Sequence, residues 1–120
     1  MAIHKYKLDN LCGIVDVNGL QIDGATADVM PSEPLDAKFA AFGWHVIKAD
    51  GHDFDSLRAA LKQARETQGQ PSVILMKTTK GKGVSYMENN AGWHGKAPNA
   101  EQYEAGRAEL EAALAELEVE

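Results

Sequence analysis

The fold is indicated first by residues 14–24, IVDVNGLQIDG. A short apolar run leads into Asp16 and Asn18, and the glycines at positions 19 and 24 bracket the segment Leu-Gln-Ile-Asp. One interpretation is a tight turn, because Asp-x-Asn-Gly is a common turn sequence. The other is a metal and phosphate site at the carboxyl end of a buried strand. The residues alone leave both interpretations open.

Three apolar segments predict strands on either side of this stretch. Residues 11–17 form a nearly continuous apolar run, which is typical of a strand buried on both faces of a parallel sheet. Residues 44–50 and 72–79 predict the second and third strands, and the third is rich in branched side chains. The segments between them have helical periodicity. The pattern therefore indicates parallel strand–helix–strand units.

Each predicted helix has recognisable end signals. Ser32 is expected to cap the first helix and Gly43 to end it, with apolar residues at helical spacing on one side, namely Leu35, Phe39 and Phe42. Asp53 is expected to cap the second helix and Gly69 to close it, and its apolar side consists of Phe54, Leu57, Leu61 and Ala64. Asn99 and Gln102 form a capping-box-like start to a last helix, whose apolar stripe is Tyr103, Leu110, Ala113, Leu114 and Leu117.

These elements define the expected fold class. It is α/β, with a partial doubly wound parallel sheet of about three strands, covering helices and a single domain over residues 1–120. Both outer edges of such a sheet are exposed unless another segment or chain pairs with them. Oligomerisation is therefore expected.

Composition excludes some function classes. Lys plus Arg number 12 against 18 Asp plus Glu, so the formal net charge is −6, which argues against nucleic-acid binding. No apolar stretch is as long as the roughly 18 residues that a membrane span needs, and the first ten residues lack a secretory apolar region. The single Cys12 lies in an apolar run, which predicts a buried thiol in a reducing, cytoplasmic setting.

A few polar residues could carry chemistry. The side-chain oxygen of Asn18 and a backbone carbonyl at Leu20 suit Mg²⁺, which prefers oxygen ligands. The segment KGKG, residues 80–83, could cradle an anion, or it could be a solvated loop. His94 could transfer protons near neutral pH, although a lone loop histidine is more often a surface residue. We assign no role to the other three histidines, and the sequence has no zinc-ligand spacing.

Taken together, several segments resemble the transketolase family. They are KYKLDNL, DVNGLQIDGAT, KFAAFGWHVIKADGHD, PSVILMKTTKGKGVSYMEN and WHGKAP, in the order and spacing of that family. The similarity runs from Tyr6 to about Leu117. It is greatest to the N-terminal, diphosphate-binding subunit of transketolases that are split into two chains.

The resemblance implies a cofactor, a reaction and site residues. Transketolases use thiamine diphosphate and Mg²⁺ to move a two-carbon ketol unit from a ketose phosphate to an aldose phosphate, a step of the pentose phosphate pathway. By the match, Asn18 is the side-chain metal ligand, Leu20 the backbone-carbonyl ligand, and Ile22 packs against the cofactor. His94 corresponds to the histidine near the diphosphate and the reacting carbonyl, where it assists proton transfer.

The chain also departs from the family pattern. The Gly-Asp-Gly unit, whose aspartate is the other protein ligand to Mg²⁺, is absent, so the sequence predicts a half of the thiamine diphosphate-binding fold that lacks this unit. The glutamate that activates the cofactor belongs to another domain of the family. We therefore expect the chain alone to be inactive. Its expected partners are sugar phosphates and either further copies of itself or a complementary transketolase chain.

Two other functions remain open at this point. Deoxyxylulose-phosphate synthase and the E1 chains of 2-oxoacid dehydrogenases share the KGKG segment. They also share the cofactor-binding motif that begins with Gly-Asp-Gly and ends at an asparagine like Asn18. The MEN and WHGKAP segments favour transketolase over both. A cofactor-free assembly or regulatory module, with the acidic last helix as a docking surface, is the alternative from a different class.

Overall fold

The computed structural model describes residues 2–117, which fall into two compact units. Unit 1 comprises the described residues up to Asn18 together with Pro31–Thr78, and unit 2 comprises Gly19–Met30 and the described residues from Thr79 onward. The assignment of one domain to the whole chain stays a prediction.

The helices of the described residues are α1 (Ala2–Lys5), α2 (Thr26–Val29), α3 (Leu35–Ala41), α4 (Phe54–Glu66) and α5 (Ala100–Leu117), and a 3₁₀ helix lies at Ala91–Trp93. The strands are β1 (Cys12–Val17), β2 (Leu20–Gln21), β3 (Gly24–Ala25), β4 (His45–Asp50) and β5 (Ser72–Lys77).

Unit 1 is built on a parallel sheet that has three strands within the described residues, in the order β1-β5-β4. The last of these strands along the chain, β5, is central, and Ile74 pairs in register with Ile14 on one side and Ile47 on the other. The predicted α/β class and parallel strand pairing are confirmed. The strands are shorter than predicted, since Leu11, Trp44 and the residues after Lys77 lie outside them.

One face of the sheet packs against α4. Ile47, Ala49 and Ile74 form the core there with Ala60, and Leu57, Ala64 and Met76 pack around them. The Asp53 cap is confirmed, because its carboxylate accepts a hydrogen bond of 2.9 Å from the Asp55 N–H. The predicted apolar side of α4 was partly wrong. The residues that α4 packs against the sheet are Leu57, Ala60 and Ala64. Phe54 and Leu61, which were predicted on the same side, are exposed.

The opposite face of the sheet packs against α3 through aromatic rings. The Phe39 ring meets the Trp44 ring edge-on with centroids 5.5 Å apart, and Trp44 in turn covers Gly13. Gly43 ends the helix with φ +80°, as predicted. The predicted Ser32 cap was wrong, because the helix begins after Pro34 and the Leu35 N–H is bound by the Glu33 carboxylate at 2.8 Å.

The prediction that β1 is buried on both faces was wrong. Cys12, Ile14 and Asp16 are exposed, and Ile14 retains 58% of its accessible surface. The expected buried thiol is likewise an exposed one. The reason is position, because β1 lies at the edge of the described sheet and α4 covers β4 and β5.

Unit 2 contains a small antiparallel hairpin of β2 and β3, the helix α2, a loop and α5. The capping box at the start of α5 is confirmed, since Gln102 N–H donates to Asn99 Oδ1 at 2.9 Å and Asn99 N–H donates to Gln102 Oε1 at 3.0 Å. The apolar stripe of α5 is largely exposed within the described residues, with 51% of Leu110 and 70% of Leu117 accessible. No helix in residues 2–117 is long and apolar enough to cross a membrane.

Candidate functional site

In unit 1 the candidate site begins at the carboxyl end of β1. Asn18 follows this strand directly and is half-buried. Two hydrogen bonds tie the strand end to the segment after β5: Thr78 Oγ1 donates to the Asp16 carboxylate, and the Thr78 N–H donates to the Val17 carbonyl at 3.3 Å. Asn18 is therefore presented from a fixed strand end.

The carboxyl end of β4 is held to the same segment by Gly51. Its N–H donates to the Lys77 carbonyl at 2.7 Å. A Cβ on Gly51 would overlap Thr78 Cγ2 and lie 2.7 Å from Met76 Cγ, so no larger residue fits without displacement. The sequence did not predict these contacts of Thr78 and Gly51. A glycine directly after a predicted strand was the available signal for Gly51.

In unit 2 the β2–β3 hairpin carries two of the predicted residues. Leu20 pairs with Ala25, and Gly19, at φ +75°, accepts a 2.9 Å hydrogen bond from the Thr26 N–H. Ile22 lies in the two-residue loop of the hairpin with φ +36° and an exposed fraction of 60%. Hairpin loops usually have glycine or asparagine at such a position, because a β-branched side chain is strained there. The hairpin therefore presents an apolar side chain outward at a cost in backbone strain.

The KGKG segment binds an anion, but the anion belongs to the chain itself. The Glu88 carboxylate accepts a 3.0 Å hydrogen bond from the Gly83 N–H and lies 3.3 Å from Lys82 Nζ. Gly81, at φ +71°, allows the loop to close, since a Cβ there would lie 2.6 Å from the Met87 carbonyl oxygen. The Glu88 carboxylate is thus an internal anion bound by this segment.

His94 lies directly after the 3₁₀ helix and is exposed. Its N–H donates to the Ala91 carbonyl at 2.9 Å, and the Asn90 side chain accepts a hydrogen bond from Gly92 N–H at 2.9 Å. Of the predicted site residues, Leu20, Ile22 and His94 belong to unit 2 and Asn18 to unit 1.

The loop that precedes His94 is also fixed to α5 electrostatically. Ser85 donates to the Glu109 carboxylate twice, from Oγ at 2.6 Å and from its N–H at 2.6 Å. These bonds, led by the one from the hydroxyl, hold the pKa of Glu109 below its ordinary value.

The two metal ligands predicted from the sequence are neutral oxygen atoms. Within residues 2–117 no group of three or more His, Cys, Asp and Glu side chains could hold a metal ion. The amide oxygen of Asn18 and the carbonyl oxygen of Leu20 are hard donors of the kind that Mg²⁺ accepts when phosphate oxygens and water complete its shell. Each of these two oxygens is of a type that can bind magnesium, and their assignment to one metal site stays a prediction.

Comparison with known proteins identifies the family of this chain. The family described as transketolase, thiamine diphosphate binding domain, matches residues 1–116. The chain belongs to the transketolase family. The resemblance inferred from the sequence is thereby confirmed, as is the membership of a thiamine diphosphate-binding domain family.

Two curated relatives are parts of transketolases. The chain is 46% identical over 105 residues to the 6-deoxy-6-sulfo-D-fructose transketolase subunit SqwG of Clostridium sp. (strain MSTE9), covering 88% of this chain and 38% of the relative. It is 42% identical over 120 residues to an apulose-4-phosphate transketolase subunit of Phocaeicola vulgatus, covering 100% of this chain and 43% of the relative. The chain thus spans about two fifths of the length of these transketolase subunits.

A solved transketolase has the same fold. The enzyme from Campylobacter jejuni superposes with a TM-score of 0.80 at 30% sequence identity, over 89% of this chain and 17% of the Campylobacter chain. The α/β class predicted from the sequence is therefore that of a transketolase segment.

Proposed function

We propose that this chain is one component of a transketolase that uses thiamine diphosphate and Mg²⁺ to transfer a two-carbon ketol unit from a ketose phosphate to an aldose phosphate. The observation that carries the proposal is the similarity to the transketolase subunit of Phocaeicola vulgatus along the whole chain, 42% identity over 120 residues. A cytoplasmic location and a step of the pentose phosphate pathway belong to the same proposal.

Each predicted site residue has a role in this proposal. Asn18 supplies its side-chain oxygen and Leu20 its backbone carbonyl oxygen to Mg²⁺. Ile22 provides an apolar contact for the cofactor, which is supported by its 60% exposure at the tip of the hairpin. Thiamine diphosphate, when bound, supplies the electron sink needed to break a carbon–carbon bond next to a carbonyl. His94 holds or transfers a proton at its imidazole.

The proposal includes a complementary chain. The residues that this chain contributes to Mg²⁺ are neutral, and a dication that gives up water reluctantly is held more tightly when a carboxylate also binds it. The two curated relatives are called transketolase subunits, a name that supports an enzyme assembled from more than one chain. We expect turnover when a transketolase chain that carries the remaining segments is added, and none from this chain by itself.

Isothermal titration with thiamine diphosphate and Mg²⁺ tests the proposal. The titration is run on the chain alone, on the chain with a transketolase chain that carries the remaining segments, and on the same mixture with Asn18→Ala. Asn10→Ala is the matched control, since Asn10 is an exposed asparagine before β1.

We expect binding in the mixture and at least about tenfold weaker binding with Asn18→Ala, a loss of roughly 1.4 kcal/mol. Asn10→Ala should bind like the unmodified chain. Absence of binding in every combination would contradict the proposal and favour a cofactor-free assembly module.

A further inference from the structure

The turn that carries His94 is held by its neighbour Trp93. The Trp93 indole N–H donates to the Tyr86 carbonyl at 2.9 Å, and the two rings pack with their centroids 5.2 Å apart. Trp93 is half-buried, whereas His94 is exposed. One side chain of the turn is therefore anchored while the next one in sequence faces solvent.

Tyr86 in turn is anchored to α5. Its hydroxyl donates to the Gln102 carbonyl at 2.6 Å. Gly106 makes room for this contact, since a Cβ on Gly106 would lie 3.0 Å from the Tyr86 hydroxyl oxygen and 3.2 Å from Val84 Cγ1. Gln102 is itself fixed by the capping box with Asn99. Through Tyr86, Trp93 is thus connected to the first turns of α5, which has 18 residues.

The segment that follows His94 contacts the same indole ring. Gly95, at φ +81°, reverses the chain, and Lys96 places its Nζ 4.7 Å from the Trp93 ring centroid. His94 lies between the two partners of this cation–π contact. Its backbone is therefore held by residues on both sides, in addition to its own bond to Ala91.

We infer that Trp93 is the positioning residue for His94. This inference rests on the proposed function, in which the His94 imidazole handles a proton of the reaction. An exposed histidine on an unconstrained loop would lose conformational freedom each time it bound a ligand. A histidine whose backbone is fixed by its neighbours has already lost that freedom on folding. Positioned catalytic groups gain rate from this preorganisation, and small displacements reduce it.

Amide hydrogen exchange measured by NMR on the 120-residue chain tests the anchor itself. Trp93→Phe keeps a ring against Tyr86 but removes the indole N–H, and Trp93→Ala removes both. We expect the His94 amide to exchange about fivefold faster in Trp93→Phe and about tenfold or more faster in Trp93→Ala, because local opening becomes easier. The Ile74 amide in β5 should be unchanged in both variants.

Trp44→Phe is the matched control, since Trp44 packs in unit 1 against Phe39 and Gly13. It should leave the exchange of His94 unchanged. If Trp93→Ala fails to fold, Tyr86→Phe provides the second test, because it removes the bond to Gln102 and keeps the ring under Trp93. Equal His94 exchange in the unmodified chain and in the folded Trp93 or Tyr86 variants would overturn the inference.

The second readout is catalysis by the mixture with the complementary chain. We expect Trp93→Phe to lower kcat about tenfold with little change in KM, the pattern of a group that acts in the reaction rather than in binding. Faster His94 exchange without any loss of kcat would also overturn the positioning role. Failure of the proposed function is recognised separately, by the absence of cofactor binding with an unmodified Trp93.

Discussion

Ile22 holds a backbone conformation that β-branched residues rarely adopt. Its φ of +36° places it in the left-handed region, and 60% of its surface is exposed. Strain of this kind costs about 1–3 kcal/mol and is concentrated at functional sites. The family resemblance implies that Ile22 packs against the cofactor, a role that suits an outward apolar side chain.

Replacing Ile22 by glycine should stabilise the chain and weaken the site. Glycine relieves the strain but adds about 0.5–1 kcal/mol of chain entropy to the unfolded state, so we expect a net gain of about 1 kcal/mol in the free energy of unfolding. Urea unfolding measures this gain. Ile22→Ala keeps the strained φ and should show no gain, while both variants should bind thiamine diphosphate more weakly in the mixture. Equal stability of the two variants would contradict this account.

At the scale of elements, α5 and the loop before the 3₁₀ helix are joined by polar contacts. Ser85 binds Glu109 through two hydrogen bonds, and Tyr86 binds the Gln102 carbonyl. Glu109 is an acid whose pKa is lowered by the folded structure. The contact therefore stabilises the folded state when the carboxyl group is ionised.

The contribution of Glu109 should depend on pH with a definite sign. Because its folded-state pKa lies below the unfolded value of about 4.3, the stabilisation is complete above that value and is lost as the pH falls through the folded-state pKa. We expect Glu109→Gln to lower the melting temperature at pH 7 and to match the unmodified chain at the acidic end of a pH series. Glu101→Gln, an exposed glutamate in the first turn of α5, is the control. A Glu109→Gln deficit that persists unchanged at low pH would contradict the assignment.

At the scale of the whole molecule, the exposed face of β1 in unit 1 is the main feature that the sequence did not predict. Ile14 pairs in register with the buried Ile74 yet is 58% exposed, and within the described residues β1 pairs with β5 alone. An edge strand with an exposed branched side chain is a site at which further chains can associate. Oligomerisation stays a prediction, and this exposed strand is the surface on which it can be tested.

We expect Ile14→Lys to reduce self-association of the chain. A charge on an edge strand disfavours pairing with another strand and removes apolar contact area. Sedimentation velocity across a concentration series would show a smaller weight-average mass for this variant than for the unmodified chain. Leu61→Lys is the matched control, because Leu61 is an exposed apolar residue on α4 with 47% of its surface accessible. The same reduction in both variants would contradict a specific role for β1.

By itself the sequence determined the features that depend on near neighbours. The Asp53 cap, the capping box of Asn99 and Gln102 and the helix end at Gly43 all follow from residues within a few positions of each other. The parallel strands followed from the alternation of apolar runs with helical periodicity. Family membership followed from motifs that can be read without a structure.

The tertiary structure decided which of these residues are buried and which contacts form across long stretches of chain. The exposure of Cys12 and Ile14 depends on which strands α4 covers, and the binding of Glu88 within the KGKG loop depends on how that loop folds back. The link from Trp93 through Tyr86 to α5 likewise joins residues up to 16 positions apart. A local pattern records the propensity of a segment, whereas burial and long-range hydrogen bonds are set by the elements that pack against it.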